Sequence, residues 1–165
     1  MAVAGSVMAK DTKGNKVGLT NRKAYFNYEV LEDLECGISL VGTEVKSIRE
    51  NRFSFGDSYA KIIDGSLWLV GFTIQPYRTS GVFNHNPERN RRLLVHKQEI
   101  KRLRKKVEER GFTLVPTKVY MKENLVKVQV SLCRGKQLHD KKQAIKDRDL
   151  TRQAQRDLKD YTKGF

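Results

Sequence analysis

The sequence predicts a mainly β protein: a small closed antiparallel barrel with flanking helices and a basic C-terminal tail. Three observations carry that prediction. Apolar and polar residues alternate over residues 26–30 and 34–40, the period of half-buried strand. Two tight hairpins follow, across Asp64-Gly65 and Glu123-Asn124, both strong turn signals. Helical spacing is confined to short segments until Gln137, after which no Gly or Pro interrupts the chain through Thr162. Many short strands favour a barrel over a sandwich, because closure removes exposed strand edges. The oligonucleotide-binding type is the expected variety.

Taken in order, residues 1–20 carry small residues and scattered Lys with no apolar period, and read as a flexible basic arm. Order is expected from Asn21-Arg22-Lys23, with one barrel domain over 21–133. Phe26, Tyr28 and Val30, then Leu34, Cys36, Ile38 and Leu40, mark one long bent strand or two strands joined by a bulge. Val45 and Ile48 lie three apart behind Thr43, which predicts a short helix with Thr43 as N-cap. Residues 59–63 and 67–72 form the first hairpin. Gly, Asn and Pro make 81–90 a loop, and 91–95 a short strand. From His96 onward Ile100, Leu103 and Val107 recur at helical spacing, and Gly111 supplies a stop. In the second hairpin Val126, Val128, Val130 and Leu132 point inward and Lys127 outward.

The tail, 134–165, is different. Leu138 and Ile145 share one helical face, while Leu150, Ala154, Leu158 and Tyr161 lie on another, almost opposite. A packing helix needs an apolar stripe about 100° wide, and a helix without one is marginal in water. The tail is therefore expected to be disordered alone and helical when a partner covers it. The alternative is an ordinary solvated helix docked on the body.

Charge narrows the partner. The 165 residues hold 33 Lys and Arg against 19 Asp and Glu, a net charge of +14, and the isoelectric point is near 9.9. Such an excess repels itself unless a polyanion is the working partner. Nucleic acid comes first and an anionic membrane surface second. Residues 89–106 concentrate nine Lys or Arg against one Glu, either a phosphate-binding surface or a solvated helix face. No apolar run approaches the roughly 20 residues of a membrane span. Residues 1–9 lack the basic start and the length of a secretory signal, so a cytoplasmic location is expected. Cys36 and Cys133 each sit in an apolar strand pattern and read as core residues rather than a disulfide. His85, His96 and His139 share no ligand spacing, so no metal or other cofactor is expected.

Nor is an enzyme expected. Asp147-Arg148-Asp149 lies in the weakly packed tail, a poor place for preorganised metal chemistry. Nothing resembles a phosphate-cradling loop or a nucleophile elbow.

Three segments then go together: Gly42-Thr43-Glu44-Val45-Lys46-Ser47, Asn84-His85 through Arg91-Arg92-Leu93-Leu94-Val95-His96-Lys97, and Gly135-Lys136-Gln137-Leu138-His139-Asp140-Lys141-Lys142. In this order and spacing they resemble the SsrA-binding protein (small protein B) family, the tmRNA partners of bacterial trans-translation. The resemblance covers residues 21 to 151. It implies a monomer that binds the tRNA-like domain of tmRNA (SsrA RNA), on which alanyl-tRNA synthetase and elongation factor Tu also act. The complex would be delivered to 70S ribosomes stalled without a stop codon, the barrel replacing the missing anticodon arm. The tail would enter the empty decoding centre, built of 16S rRNA, and the mRNA channel as a helix.

By matching position, the resemblance implies tmRNA-facing roles for Asn21, Arg22, Lys23, Glu35, Arg92, Leu94, His96 and Lys127. The four cations would meet phosphates and Leu94 would pack under an unstacked base. Glu35 would accept from a base edge or orient a neighbouring Arg, an internal ion pair being the alternative. In the tail the implied ribosome-facing residues are Lys136, His139, Asp140, Lys141, Lys142, Ile145, Lys146 and Arg148. His139 would stack on a decoding-centre base, Lys141, Lys142 and Lys146 would meet phosphate, and Asp140 would cap the induced helix. Lys142 departs from a frequent Arg, losing the planar fork, and His96 from a frequent Asn. A general single-strand or structured-RNA binder of oligonucleotide-binding type is the rival reading. It ranks lower because Phe26, Tyr28 and Trp68 fall on strand phases that look core-facing.

Overall fold

The computed structural model describes residues 18–163. The expected arm of residues 1–17 lies outside the described residues, but residues 18–20 already belong to the barrel. The Leu19 carbonyl accepts from the Val119 amide at 3.1 Å, and Thr20 bridges Lys118. Gly18 is required there, since a Cβ would fall 1.5 Å from the Val119 carbonyl oxygen.

Residues 26 and 27, expected to open a strand over 26–30, lie instead at the end of a helix over residues 22–27. That helix, α1 (Arg22–Asn27), forms because Asn21 caps it. The Asn21 side chain accepts from the Ala24 amide at 3.1 Å and donates to the Pro116 carbonyl at 2.9 Å. Phe26 therefore lies on a helix. Strand β1 (Tyr28–Ile38) begins two residues later. It pairs antiparallel with β8 (Leu125–Gly135), with a register shift between Val30 and Glu32, the bulge the sequence allowed for. Helix α2 (Gly42–Arg49) starts one residue before the predicted cap. Val41, not Thr43, is the cap: its amide donates to Glu44 Oε2 at 3.0 Å.

The remaining strands are β2 (Phe53–Ser54), β3 (Tyr59–Ile63), β4 (Ser66–Val70), β5 (Thr73–Ile74), β6 (Arg91–Leu94) and β7 (Thr113–Lys122). Helix α3 (Lys97–Arg110) and helix α4 (Leu138–Lys163) complete the fold. Six strands close into a barrel in the order β1-β6-β4-β3-β7-β8, with β2 and β5 as a separate pair. Both hairpins turn where expected. Asp64, Gly65, Glu123 and Asn124 all have positive φ, as two-residue turns matched to strand twist require. Gly111 ends α3 in the left-handed region at φ 63°.

Alternation then fills the interior. Cys36, Leu67, Leu69, Leu93, Val119, Val128, Val130 and Leu132 are buried together, joined by Leu103 of α3. Phe53, Phe55 and Phe72 pack beside them with ring centroids 5.4–5.8 Å apart. Cys36 and Cys133 are free and buried; burial pushes their thiols up to about 12 and about 11. Trp68 corrects its predicted phase. It stands between Leu67 and Leu69, which are wholly buried, so its own side chain points away from the core and is half-exposed. Phe26 and Tyr28 are likewise only half-buried.

Candidate nucleic-acid interface

The nine cations of residues 89–106 do not form one surface. Arg89 and Arg91 turn onto Glu44, a wholly buried carboxylate. Glu44 Oε1 accepts from Arg89 Nε and Arg91 Nε, both at 2.8 Å, and Oε2 accepts from Arg89 Nη2 at 2.6 Å. The Arg91 guanidinium also donates to the carbonyls of Phe72, Pro87 and Arg89 at 2.5–3.0 Å. Burial pushes the Glu44 carboxyl upward, but Arg89, the Val41 amide and Arg91 outweigh it and hold it below the usual value. Beside this node the Thr43 hydroxyl meets His85 Nδ1 at 2.8 Å, and His85 Nε2 meets the Ile74 carbonyl at 3.0 Å. Two of the three motif segments thus serve first to pin the loop between β5 and β6 onto α2.

Helix α3 spends its charge internally as well. Arg102 and Lys106 pair with Glu32, Arg104 with Glu108 and Lys105 with Glu109. Only Arg92, Lys97 and Lys101 of the nine lack an ion pair among the described residues.

The barrel's outer surface gathers several predicted residues into one row across four strands. Leu94 of β6 stands opposite Gly37 of β1, which stands opposite Lys127 of β8, itself opposite Tyr120 of β7. Gly37 matters here. A Cβ on it would come within 3.1 Å of the Leu94 Cβ, so the bare backbone leaves Leu94 room to lie across it, 56% exposed. Glu35 sits one pleat along. Tyr120 Oη donates to its Oε2, and Lys122 Nζ lies 3.1 Å from Oε1. The Tyr120 hydrogen bond, more than the nearby Lys122 and Lys127 charges, lowers the Glu35 carboxyl. Burial and the same bond raise the Tyr120 phenol. Glu35 thus makes an internal pair with Lys122 and a hydrogen bond with Tyr120, and none with an Arg among the described residues. Arg92 is exposed on the same outer phase of β6, and His96 is exposed where β6 passes into α3. The His96 amide donates to Glu99 Oε2 at 3.3 Å.

Asn21 does not join this surface. It is buried and its side chain is used as the α1 cap, so it positions Arg22 and Lys23 instead of facing solvent. Those two cations reach a second place, an open groove of about 710 Å³ between α1 and α4. Lys136, Arg148 and Arg152 also line it, with Tyr25, Phe26 and Ala144. Lys23 bonds Asp57 at 2.5 Å, an exposed pair. Lys136 Nζ donates to the Tyr25 carbonyl at 3.0 Å, and the Arg148 guanidinium sits 5.6 Å from the Phe26 ring.

The other tail residues stay outside both places. His139, Asp140, Lys142, Ile145 and Lys146 are exposed on α4, and Lys141 is half-buried. Asp140 lies in the first helical turn, where the helix dipole favours an anion. Leu138, Leu150 and Leu158 are mostly exposed, as the split apolar faces predict. Sequence reasoning missed Tyr120, Lys122 and Arg152. Counting the second hairpin's register back from Glu123-Asn124 would have placed Tyr120 opposite Lys127. Among the described residues no group of three His, Cys, Asp or Glu could hold a metal ion. No described helix is long and apolar enough to cross a membrane.

A closed basic barrel with an unpaired cationic and apolar outer face belongs to the oligonucleotide-binding class of small β-barrels. Comparison with known proteins is more specific. The SmpB protein family model matches residues 18–160. The SsrA-binding protein of Treponema denticola is 53% identical over 87% of this chain and 94% of its own length. That of Trichormus variabilis is 48% identical over 93% and 100%. A solved chain from work on tmRNA-SmpB at the centre of the bacterial ribosome is 46% identical, with a TM-score of 0.63 over 77% of this chain and 93% of that one. The chain belongs to the SmpB family.

Proposed function

We propose that this protein binds the tRNA-like domain of tmRNA and carries it to stalled ribosomes for trans-translation. The observation that carries the reading is the outer row Leu94–Gly37–Lys127, flanked by unpaired Arg92. It joins an exposed apolar side chain to cations on a rigid sheet, the pairing that unstacked bases and phosphates call for. The names of its relatives, SsrA-binding proteins, and the ribosomal setting of the solved SmpB chain support it.

In this reading the barrel face and Arg22 and Lys23 of α1 hold the RNA. Glu35, fixed by Tyr120 and Lys122, presents its free lone pairs to a base edge. Exposed His139, Lys142 and Lys146 and half-buried Lys141 of α4, with Asp140 at its start, Ile145 on one apolar face, and Lys136 and Arg148 behind, occupy the empty decoding centre of 16S rRNA. Alanyl-tRNA synthetase and elongation factor Tu act on the same RNA, and the protein works as a cytoplasmic monomer and not as an enzyme. Recovery of the tagged protein from bacterial cells, followed by sequencing of the bound RNA, tests this. One dominant RNA with a tRNA-like end is expected; a broad mixture would favour the general RNA-binding alternative.

A further inference from the structure

The chain contains one tryptophan, Trp68, and the fold does not use it as a core residue. Leu67 and Leu69 on either side are wholly buried, so strand alternation turns the indole to the outside of the barrel. Its cross-strand neighbours are Lys61 on β3 and Arg92 on β6. Both are exposed, and neither forms an ion pair among the described residues. No aromatic ring or cation covers the indole among the described residues. One step along the strands Ile63 faces Ser66 in the next outer row, Leu94 follows Arg92 on the outer phase of β6, and Ile63 and Leu94 are exposed.

We infer that this face of β3, β4 and β6 is a stacking platform for an unpaired nucleobase of bound RNA, with Trp68 under the base and Lys61 and Arg92 on the flanking phosphates. The inference rests on the RNA-binding reading and deepens it, extending the face past Leu94 to two strands that reading leaves unused. Lys61 and Arg92 are two strands apart, roughly 10 Å, which leaves room for one base between its phosphates. An indole offers any base a face, and a cation on each side without a carboxylate partner selects an anionic ligand over an apolar peptide. A large apolar ring beside exposed Leu94 and Ile63 is otherwise an exposed patch without purpose.

Because Trp68 is the sole tryptophan, its emission reports on this position alone. The test titrates the full chain with a dye-labelled tRNA-like RNA carrying unpaired loop bases, reading dye anisotropy and Trp68 emission together. Emission is expected to quench in step with anisotropy, and RNA to protect Trp68 from acrylamide. Trp68→Ala is expected to weaken binding roughly five- to 150-fold, the range for one stacked base, with the salt slope unchanged. Trp68→Phe should recover most of that affinity. Lys61→Ala should flatten the log–log salt slope by roughly 0.7–0.9. Binding seen by anisotropy with unchanged emission and unchanged acrylamide access would overturn the platform while leaving the RNA-binding reading intact. Absence of any anisotropy change would sink that reading, and the platform with it. Should Trp68→Ala melt early, the wild-type emission and acrylamide measurements decide the matter without it.

Discussion

The barrel and helix α4 draw on the same basic, Leu- and Ile-containing composition and treat it in opposite ways. In the barrel Leu67, Leu69, Leu93 and Leu132 are sealed inside, and charges such as Glu44, Arg89 and Arg91 are neutralised against one another. In α4 Leu138, Leu150 and Leu158 face water. A barrel draws stability from burial distributed over six strands. A helix with two narrow apolar faces draws on propensity and its few neighbours, here Phe26 and Tyr25 of α1. The first region holds its side chains through its own burial; the second leaves most of its apolar side chains in water.

The sharpest way to break that division is to remove α4. Truncation after Gly135 should leave the barrel's thermal transition in place and tmRNA affinity nearly unchanged, while tagging of stalled nascent chains is lost. Substitution of His139 alone, or of Asp140-Lys141-Lys142 together, should reproduce the loss. A truncated protein that tags at the normal rate would erase the distinction.

Next in size is the barrel's buried charge node. Glu44→Ala strands Arg91 without its anion and should cost about 3–5 kcal/mol in urea unfolding. The same group carries a pH dependence whose sign follows from its lowered carboxyl. Its contribution is fully present above the unfolded value, 4.5, and is lost as pH falls through the folded one. Glu44→Gln should therefore flatten the fall of stability with acid below that point. An equally steep fall in the variant would assign the acid sensitivity to other carboxylates.

Smaller effects belong to the surface. Arg92→Ala and Lys127→Ala should each reduce the log–log salt slope of tmRNA binding by roughly 0.7–0.9, with stability within about 0.5 kcal/mol of the parent. Unchanged slopes would mean that both side chains are only solvated. The smallest expected change is at Glu35. Glu35→Gln keeps the shape and loses the charge that Lys122 and Tyr120 hold in place. Specific tmRNA binding should weaken modestly while binding to an unrelated RNA stays level or tightens. Equal weakening of both would point to the fold.

Much of this architecture is legible locally. Alternation in 126–132, the Asp64-Gly65 and Glu123-Asn124 turns, and the Ile100, Leu103, Val107 spacing before Gly111 each state their structure within a few residues. Other readings failed, one for want of a distant partner and two on strand phase. Phe26 alternates like a strand residue, yet Asn21 bonds Pro116, 95 positions away, and starts a helix. Trp68 looks core-facing because it is aromatic, but the phase belongs to Leu67 and Leu69. The cations of residues 89–106 look like one patch, whereas adjacent Arg91 and Arg92 point to opposite sides of β6.

By itself, then, the sequence determined most of the strands, turns and helices and the excess of positive charge, because periodicity, turn chemistry and net charge are local or additive properties. Which charges remain unpaired only the tertiary structure decided. Glu44 claims Arg89 and Arg91 from 45 and 47 positions away, Glu32 claims Lys106 from 74, and Tyr120 reaches Glu35 across 85. Ion pairing depends on separations of a few ångströms, and barrel closure, not distance along the chain, sets those separations.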